Sequence, residues 1–428
     1  MLDAKQKLLN RISEDRELLV DYLRDFIRIP SPNPPGDTRD AARHVTDLLE
    51  RRGIPFRIIA PEGTMPNIIA TFDCGGPGRH LALNGHIDVF PVGDGSGWTK
   101  DPWGAELEDG RIYGRGACDM KSGTTASIFA FLYLHELRHT LRGKVTLSVV
   151  SDEETFGPWG ARYLADHHPE IFGDCCLNAE PTGRTTFRFG EKGPLWLRFT
   201  VRTHGAHGAY VHRSASATRI AAQVIGELDR LTELPPSELG NLTSTLDAAI
   251  ATADEAWGAG AGQNVRRITV NPGLVRGGVK VNMVAAECVF EVDIRLPNGL
   301  DDADVRREVD AIVSRYPEVS YEQILYNPAN WTPPDTEMAE VVRANAKAVS
   351  GIEPIPVVSL GCTDARLWRY KDIPAIVFGP SPIEMGGVDE YVETEEFLDV
   401  VKVHVLSAYD YLSRPAAPPD LLRSEADR

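Results

Sequence analysis

The stretch Leu81–Gly123, "LALNGHIDVFPVGDGSGWTKDPWGAELEDGRIYGRGACDMKSG", opens with an apolar run of strand length that ends in His86 and Asp88. A Gly-rich segment follows and delivers Asp119 at the mouth of "SGTTASIFAFLYLHELRH", whose apolar content predicts a helix. A strand that ends in a His and an acid, with a second acid where the next helix begins, points to an α/β sheet. In such sheets the carboxyl ends of the strands open onto a shared crevice and collect the chemistry.

Outward from this stretch the same alternation continues. A helix is predicted to about Ile29, then strands at "FRIIA", "NIIATF", "KVTLSVVSDEE" and "CCLNA". Asp152, Glu153 and Glu154 end one of them, and Glu180 follows another. Strands separated by helices predict a sheet covered on its faces, so three strand ends bearing acids or a His converge on one edge. From "RFGEKGPLWLRFTVRTHGAHG" the pattern becomes period-two alternation, followed by one helix, "SATRIAAQVIGELDRL", two strands and a second helix, "DDADVRREVDAIVSRY". This predicts an α+β unit inserted at residues 193–326, splitting the surrounding α/β domain into 1–192 and 327–428. The Pro-rich, polar residues 413–428 are expected to be a mobile tail.

The chain of 428 residues exceeds the ~100 to 200 of one ordinary domain, in keeping with this division. Its charge of -17, with no long basic run, argues against a nucleic-acid or anionic-membrane partner. No segment reaches the ~18 consecutive apolar residues of a membrane span. The N-terminal segment has charges at helical spacing in place of the apolar core of a signal peptide, so a cytoplasmic location is expected. Six Cys are scattered without C-x-x-C spacing, which fits reduced thiols better than a structural zinc site.

His86, Asp119 and Glu180 can supply one imidazole and two carboxylates to a divalent ion while leaving a position open for water, the pattern of catalytic sites. Mixed nitrogen and oxygen ligands suit Zn, Mn or Co better than Mg or Ca. Asp88 shares a strand face with His86, and its carboxylate is expected to accept the free imidazole N–H and fix the tautomer. Of the paired acids, Glu154 can bind metal while Glu153, held unligated, takes a proton from the attacking water. Any one acid after a strand is ordinarily a helix cap or a solvated loop residue. Five phrases in order at strand ends reverse that reading: G-H-x-D, G-x-x-D-M-K, D-E-E, A-E-P-T and G-C-T-D-A-R.

With these phrases the chain, from about Leu19 to Leu412, resembles the co-catalytic metallohydrolases that include acetylornithine deacetylase, succinyl-diaminopimelate desuccinylase, aminoacylase and glutamate carboxypeptidase. The resemblance implies an α/β, mixed-sheet, zinc-peptidase-like catalytic domain with an inserted α+β dimerisation or lid domain. It implies ligand roles for His86, Asp119 (bridging), Glu180 and Glu154, an orienting role for Asp88, and Glu153 as general base. It further implies that His207 of "THGAHGAYVH" stabilises an oxyanion, often in a neighbouring subunit's site. Asn282 would contact substrate, and Arg366 with Thr363 in "GCTDAR" would hold a substrate carboxylate. A structural ion pair is the alternative for Arg366.

The pattern departs in "IEMGGVDEYVETEEF", where Gly386 stands four residues before Glu390 in place of a metal-binding His. One tight metal site and a second that is weak or absent are therefore expected, unless Glu384 or Asp389 compensates. The resemblance implies hydrolysis of a C–N bond in a small carboxylate-bearing molecule, foremost an amide of an N-acyl amino acid or a dipeptide-like compound. Release of ammonia from a nitro-substituted aminobenzoate is the alternative, and a catalytically silent ligand-binding homologue the second. A homodimer or higher homo-oligomer is implied as well.

Overall fold

The computed structural model describes residues 4–415 and divides into two compact units. The first comprises Met1–Phe189, Thr332–Pro356 and Thr363–Arg428; the second comprises Gly190–Trp331 and Val357–Cys362. Of the expected mobile tail, residues 416–428 lie outside the described residues. Before them, Ser413 ends a helix, Arg414 pairs with Glu340, and the Pro415 carbonyl accepts a hydrogen bond from Arg79.

In the first unit the strands run Phe56–Ile59, Asn67–Asp73, Lys144–Val150, His80–His86, Cys175–Asn178 and Ala375–Val377 across one sheet. His80–His86 is parallel to Lys144–Val150 and to Cys175–Asn178, and Ala375–Val377 is parallel to Cys175–Asn178. The first two strands join antiparallel, which makes the sheet mixed. The central strands are buried along nearly their whole length because both of their faces are covered, and polar residues within them such as Asn84, Thr146 and Ser148 are buried too.

Parallel pairing has the consequence that matters for chemistry. His86, the turn after Val150 and the turn after Asn178 all emerge at one edge. The helix Ser122–Leu137 is apolar on nearly every face and is buried accordingly. Its second residue must be glycine, since a Cβ at Gly123 would fall 2.1 Å from the Ala179 carbonyl oxygen. That close approach brings the helix entrance, with Asp119, beside the strand end that carries Glu180. The predicted single N-terminal helix is two, Ala4–Glu14 and Arg16–Ile27, interrupted at Asp15.

The second unit is an antiparallel sheet in the order Thr269–Gly277, Glu287–Leu296, Gly193–Arg202, Val319–Tyr326. Alternate residues Leu195, Leu197, Phe199 and Val201 face a core shared with the helices Ala217–Leu228 and Asp302–Val313. The intervening positions carry cross-strand pairs instead: Trp196 donates to Asp293, and Arg198 pairs with both Glu291 and Glu322.

Candidate metal centre

The strand ends and the helix entrance bring three of the residues singled out from sequence into coordination reach. One ligand atom each of His86, Asp119 and Glu180 lies within 4.8 Å of the others. His86 Nε2 stands 3.1 Å from Glu180 Oε1 and 3.4 Å from Asp119 Oδ1, and all three side chains are buried. Among the described residues no other such group of three occurs. Glu153 Oε2 is 4.0 Å from the same imidazole nitrogen.

These residues fit a cation. His86 Nε2, Asp119 Oδ1, Glu153 Oε1 and Glu154 Oε1 are buried polar atoms without a hydrogen-bond partner, a costly arrangement if nothing else is bound. Burial, and then the charge of Asp119, pushes Glu180 up to about 7. Glu153 and Glu154 are raised in the same direction, first by burial. Burial opposes charge on His86, yet Glu180, Asp119 and Glu153 outweigh it and drive the imidazole upward. Crowded acids that hold protons, around an imidazole that holds one as well, are what a divalent ion would displace.

Asp88 is used differently from the expectation. His86 Nδ1 pairs with the main-chain carbonyl of Asp88 at 2.9 Å, while the nearest carboxylate oxygen is 3.6 Å away. The carboxylate accepts the amides of Glu153 at 3.3 Å and Glu154 at 3.1 Å, and Asn33 Nδ2 at 2.8 Å. The reason is local geometry: the chain turns at the strand end, so the carbonyl of residue 88 reaches back to the ring and its side chain points toward the next strand's loop. Asn33 also donates to Asp152 at 3.1 Å, and Asp152, at φ 63°, accepts Thr155 Oγ1 and the Trp159 amide. Asn33 and Asp152 thus shape the turn that presents Glu153.

Glu154 stands outside the trio, with Asp119 as the strongest of its charged neighbours. Of the residues proposed to fill the Gly386 gap, Asp389 has its carboxylate engaged by the amides of Thr99 and Lys100 and by Thr99 Oγ1. Gly386 itself has φ 71°, a left-handed conformation that disfavours any side chain with a Cβ.

Arg366 is 1% exposed. Its Nη1 donates to the Thr363 carbonyl at 2.7 Å and lies 3.4 Å from Asp364 and 3.8 Å from Glu153, with the guanidinium over the Phe156 ring. These contacts support the ion-pair reading of Arg366. Thr363 is buried in the same turn. In the second unit His207 is exposed, and its Nδ1 accepts the Ala209 amide; the Asn282 carbonyl accepts the Gly208 amide.

Three further residues escaped the sequence reading. Lys121 is fully buried and its Nζ donates to the carbonyls of Phe26, in the last turn of the second helix, and Ile29, just beyond it. Arg115 and Glu390 form a buried ion pair at 2.5 Å beneath the Asp119 turn. Two of them had a sequence signal: Lys121 as the Lys of G-x-x-D-M-K, and Glu390 as the acid four residues after the missing His.

The family model of peptidase family M20/M25/M40 matches residues 82–410. The chain belongs to that family. It is a metal-dependent hydrolase with the M20 fold, which its sequence relatives share over nearly their whole length. A succinyl-diaminopimelate desuccinylase of Cereibacter sphaeroides is 30% identical over 91% of this chain and 97% of its own. Its counterpart in Gluconacetobacter diazotrophicus is 31% identical over 89% of this chain and 94% of its own. Among solved structures, an M20 metallo-carboxypeptidase from Sulfolobus solfataricus superposes with a TM-score of 0.79 at 18% identity, covering 96% of this chain and 99% of that one. No helix among the described residues is long and apolar enough to cross a membrane.

Proposed function

We propose that this M20 enzyme hydrolyses the amide bond of a small N-acyl amino acid that carries a free carboxylate, at a centre holding one tightly bound transition-metal ion. The observation that carries the reading is the placement of Glu153. It is buried, one of its oxygens has no hydrogen-bond partner, and the other lies 4.0 Å from an imidazole that meets two carboxylates. His86, Asp119 and Glu180 would hold Zn, Mn or Co, and an ion there supplies Lewis acidity toward water and the scissile carbonyl. Glu153 accepts the proton of the attacking water and returns it to the departing nitrogen, a shuttle favoured by burial that already raises its proton affinity. Asp88 and Asn33 fix the loop that aims it.

Identity of about 30% to desuccinylases over nine-tenths of the chain supports the amide over the aryl-amine bond. The glycine at position 386 supports a second ion site that is weak or absent. His207, Asn282 and Thr363 are proposed contacts of the substrate, and the second unit is proposed to serve as lid and dimerisation domain. The test is to supply the metal-stripped enzyme with Mn or Zn and offer N-succinyl and N-acetyl amino acids beside aminobenzoates. Release of amino acid with about one ion per chain is expected. Ammonia release alone would replace the amide reading, and two equally tight ions would remove the single-site one.

A further inference from the structure

The segment that lacks the expected His still closes on the metal centre, by its backbone and its acid. Glu390 is fully buried, and its Oε1 accepts the amides of Cys118 at 2.9 Å and Asp119 at 3.2 Å. Its other oxygen takes Arg115 Nη1 at 2.5 Å. The second terminal nitrogen of Arg115 donates to the carbonyls of Gly386 at 3.0 Å and Gly387 at 2.7 Å. The guanidinium stacks over Trp98, and Cys118 Sγ approaches the Ile383 carbonyl at 3.7 Å. One acid thus holds the backbone of the Asp119 turn, and one guanidinium ties that acid to residues 386–387.

We infer that Glu390 and Arg115 are positioning residues for the metal centre: by gripping the amides of Cys118 and Asp119 they set the Asp119 carboxylate against His86 and Glu180. Neither touches the ion. Charge-assisted bonds to two consecutive amides fix a backbone more firmly than neutral ones. Groups that orient a ligand in this way ordinarily change metal affinity by ~10 to 100-fold. The left-handed backbone at Gly386 suits glycine, and the Gly386 carbonyl accepts from Arg115. The inference rests on the assignment of His86, Asp119 and Glu180 as the ion site.

The test is direct measurement of Mn or Zn affinity on the metal-stripped protein, by calorimetry or chelator competition, with no turnover required. Glu390→Ala is expected to weaken binding by at least about 10-fold. It should also speed hydrogen exchange at the amides of Cys118 and Asp119. Arg115→Lys, which keeps a charge but loses the fork, is expected to fall between this variant and the unmodified chain. Arg79→Ala, which breaks a partly buried ion pair with Glu337, controls for lost stability and should bind the ion normally. If Glu390→Ala does not fold, Glu390→Gln is measured in its place, since it keeps one acceptor and loses the ion pair. Folded Glu390 variants that bind the ion as the unmodified chain does would overturn the grip. An unmodified chain that binds no ion would overturn the site assignment instead.

Discussion

His86 Nδ1 lies 2.9 Å from the main-chain carbonyl oxygen of Asp88 and 3.6 Å from the carboxylate of the same residue. The tautomer of His86 is therefore fixed by a group that every residue type possesses. The carboxylate is committed to the loop of Glu153 and Glu154.

Replacement of Asp88 by Asn should leave ion affinity within a few-fold of the original, because the carbonyl remains. Turnover should fall by about 10 to 100-fold, because the amides of Glu153 and Glu154 and the Asn33 amide then face a group that is half donor. Ion titration beside steady-state kinetics reads both. Equal losses of affinity and kcat would show that the carboxylate acts on His86 after all.

The crowding of acids predicts how metal removal behaves. Stripping the ion should lower Tm, and Mn or Zn at about 100 times its dissociation constant should restore about 2.7 kcal/mol. Asp119→Asn removes one of the mutually repelling carboxylates. Its stripped form should match or exceed the stability of the stripped parent, while the increment on adding metal disappears. Thermal melts with and without a chelator distinguish these. An Asp119→Asn protein that still gains stability from metal would exclude Asp119 as a ligand.

Arg366 provides a third test. Its guanidinium meets Asp364, Thr363 and Glu153 in the interior, so Arg366→Lys should lower kcat by about 10-fold or more and change KM little. A receptor for the substrate's carboxylate would give the opposite split, with KM rising and kcat preserved. Varying the carboxylate of the substrate in the same variant makes the distinction sharper.

Acid sensitivity should come from histidines remote from the catalytic chemistry. Burial holds His404, His44 and His80 each down to about 4 from an ordinary 6.5, and His404 is locked by a 2.6 Å bond to the Phe378 carbonyl. A depressed value means that the unfolded chain takes up the proton first. The stability due to these neutral rings is complete above 6.5 and is lost as pH falls toward 4. For fully buried His404 the slope is at most about 1.4 kcal/mol per pH unit. The raised acids of the stripped metal centre act in the opposite direction, so the measure of the His404 contribution is the stability of the parent relative to His404→Gln, which denaturant melts between pH 7.5 and 5 should show falling as pH falls. An unchanged slope in that variant would assign the loss elsewhere.

The convergence of His86, Asp119 and Glu180 was legible because they sit where local pattern and chemistry coincide. Apolar runs mark the strands, polar residues mark their ends, and parallel order brings the ends together. The change of period at about residue 193 falls close to Gly190, where the second unit begins, whereas the return of that unit at Val357–Cys362 left no sign in the pattern. What escaped is held by long-range contacts that leave no local trace. Glu390 meets Cys118 across 272 positions, Asn33 reaches Asp152 across 119, and Lys121 bonds to carbonyls 92 and 95 residues earlier. The use of Asp88 was missed more narrowly. A shared strand face correctly placed the residue beside His86, but which of its oxygens turns toward the ring depends on the bend that ends the strand.

The buried amine of Lys121 has a consequence for how far this protein can be trimmed. Its carbonyl partners, Phe26 and Ile29, and the Asn33 amide that steadies Asp88, all precede the family-matched span of residues 82–410. A chain shortened to that span would leave the Lys121 amine, two residues from Asp119, without the carbonyls that accept from it. The leading eighty residues are thus part of the catalytic centre's foundation, and homology boundaries are a poor guide to the smallest working enzyme.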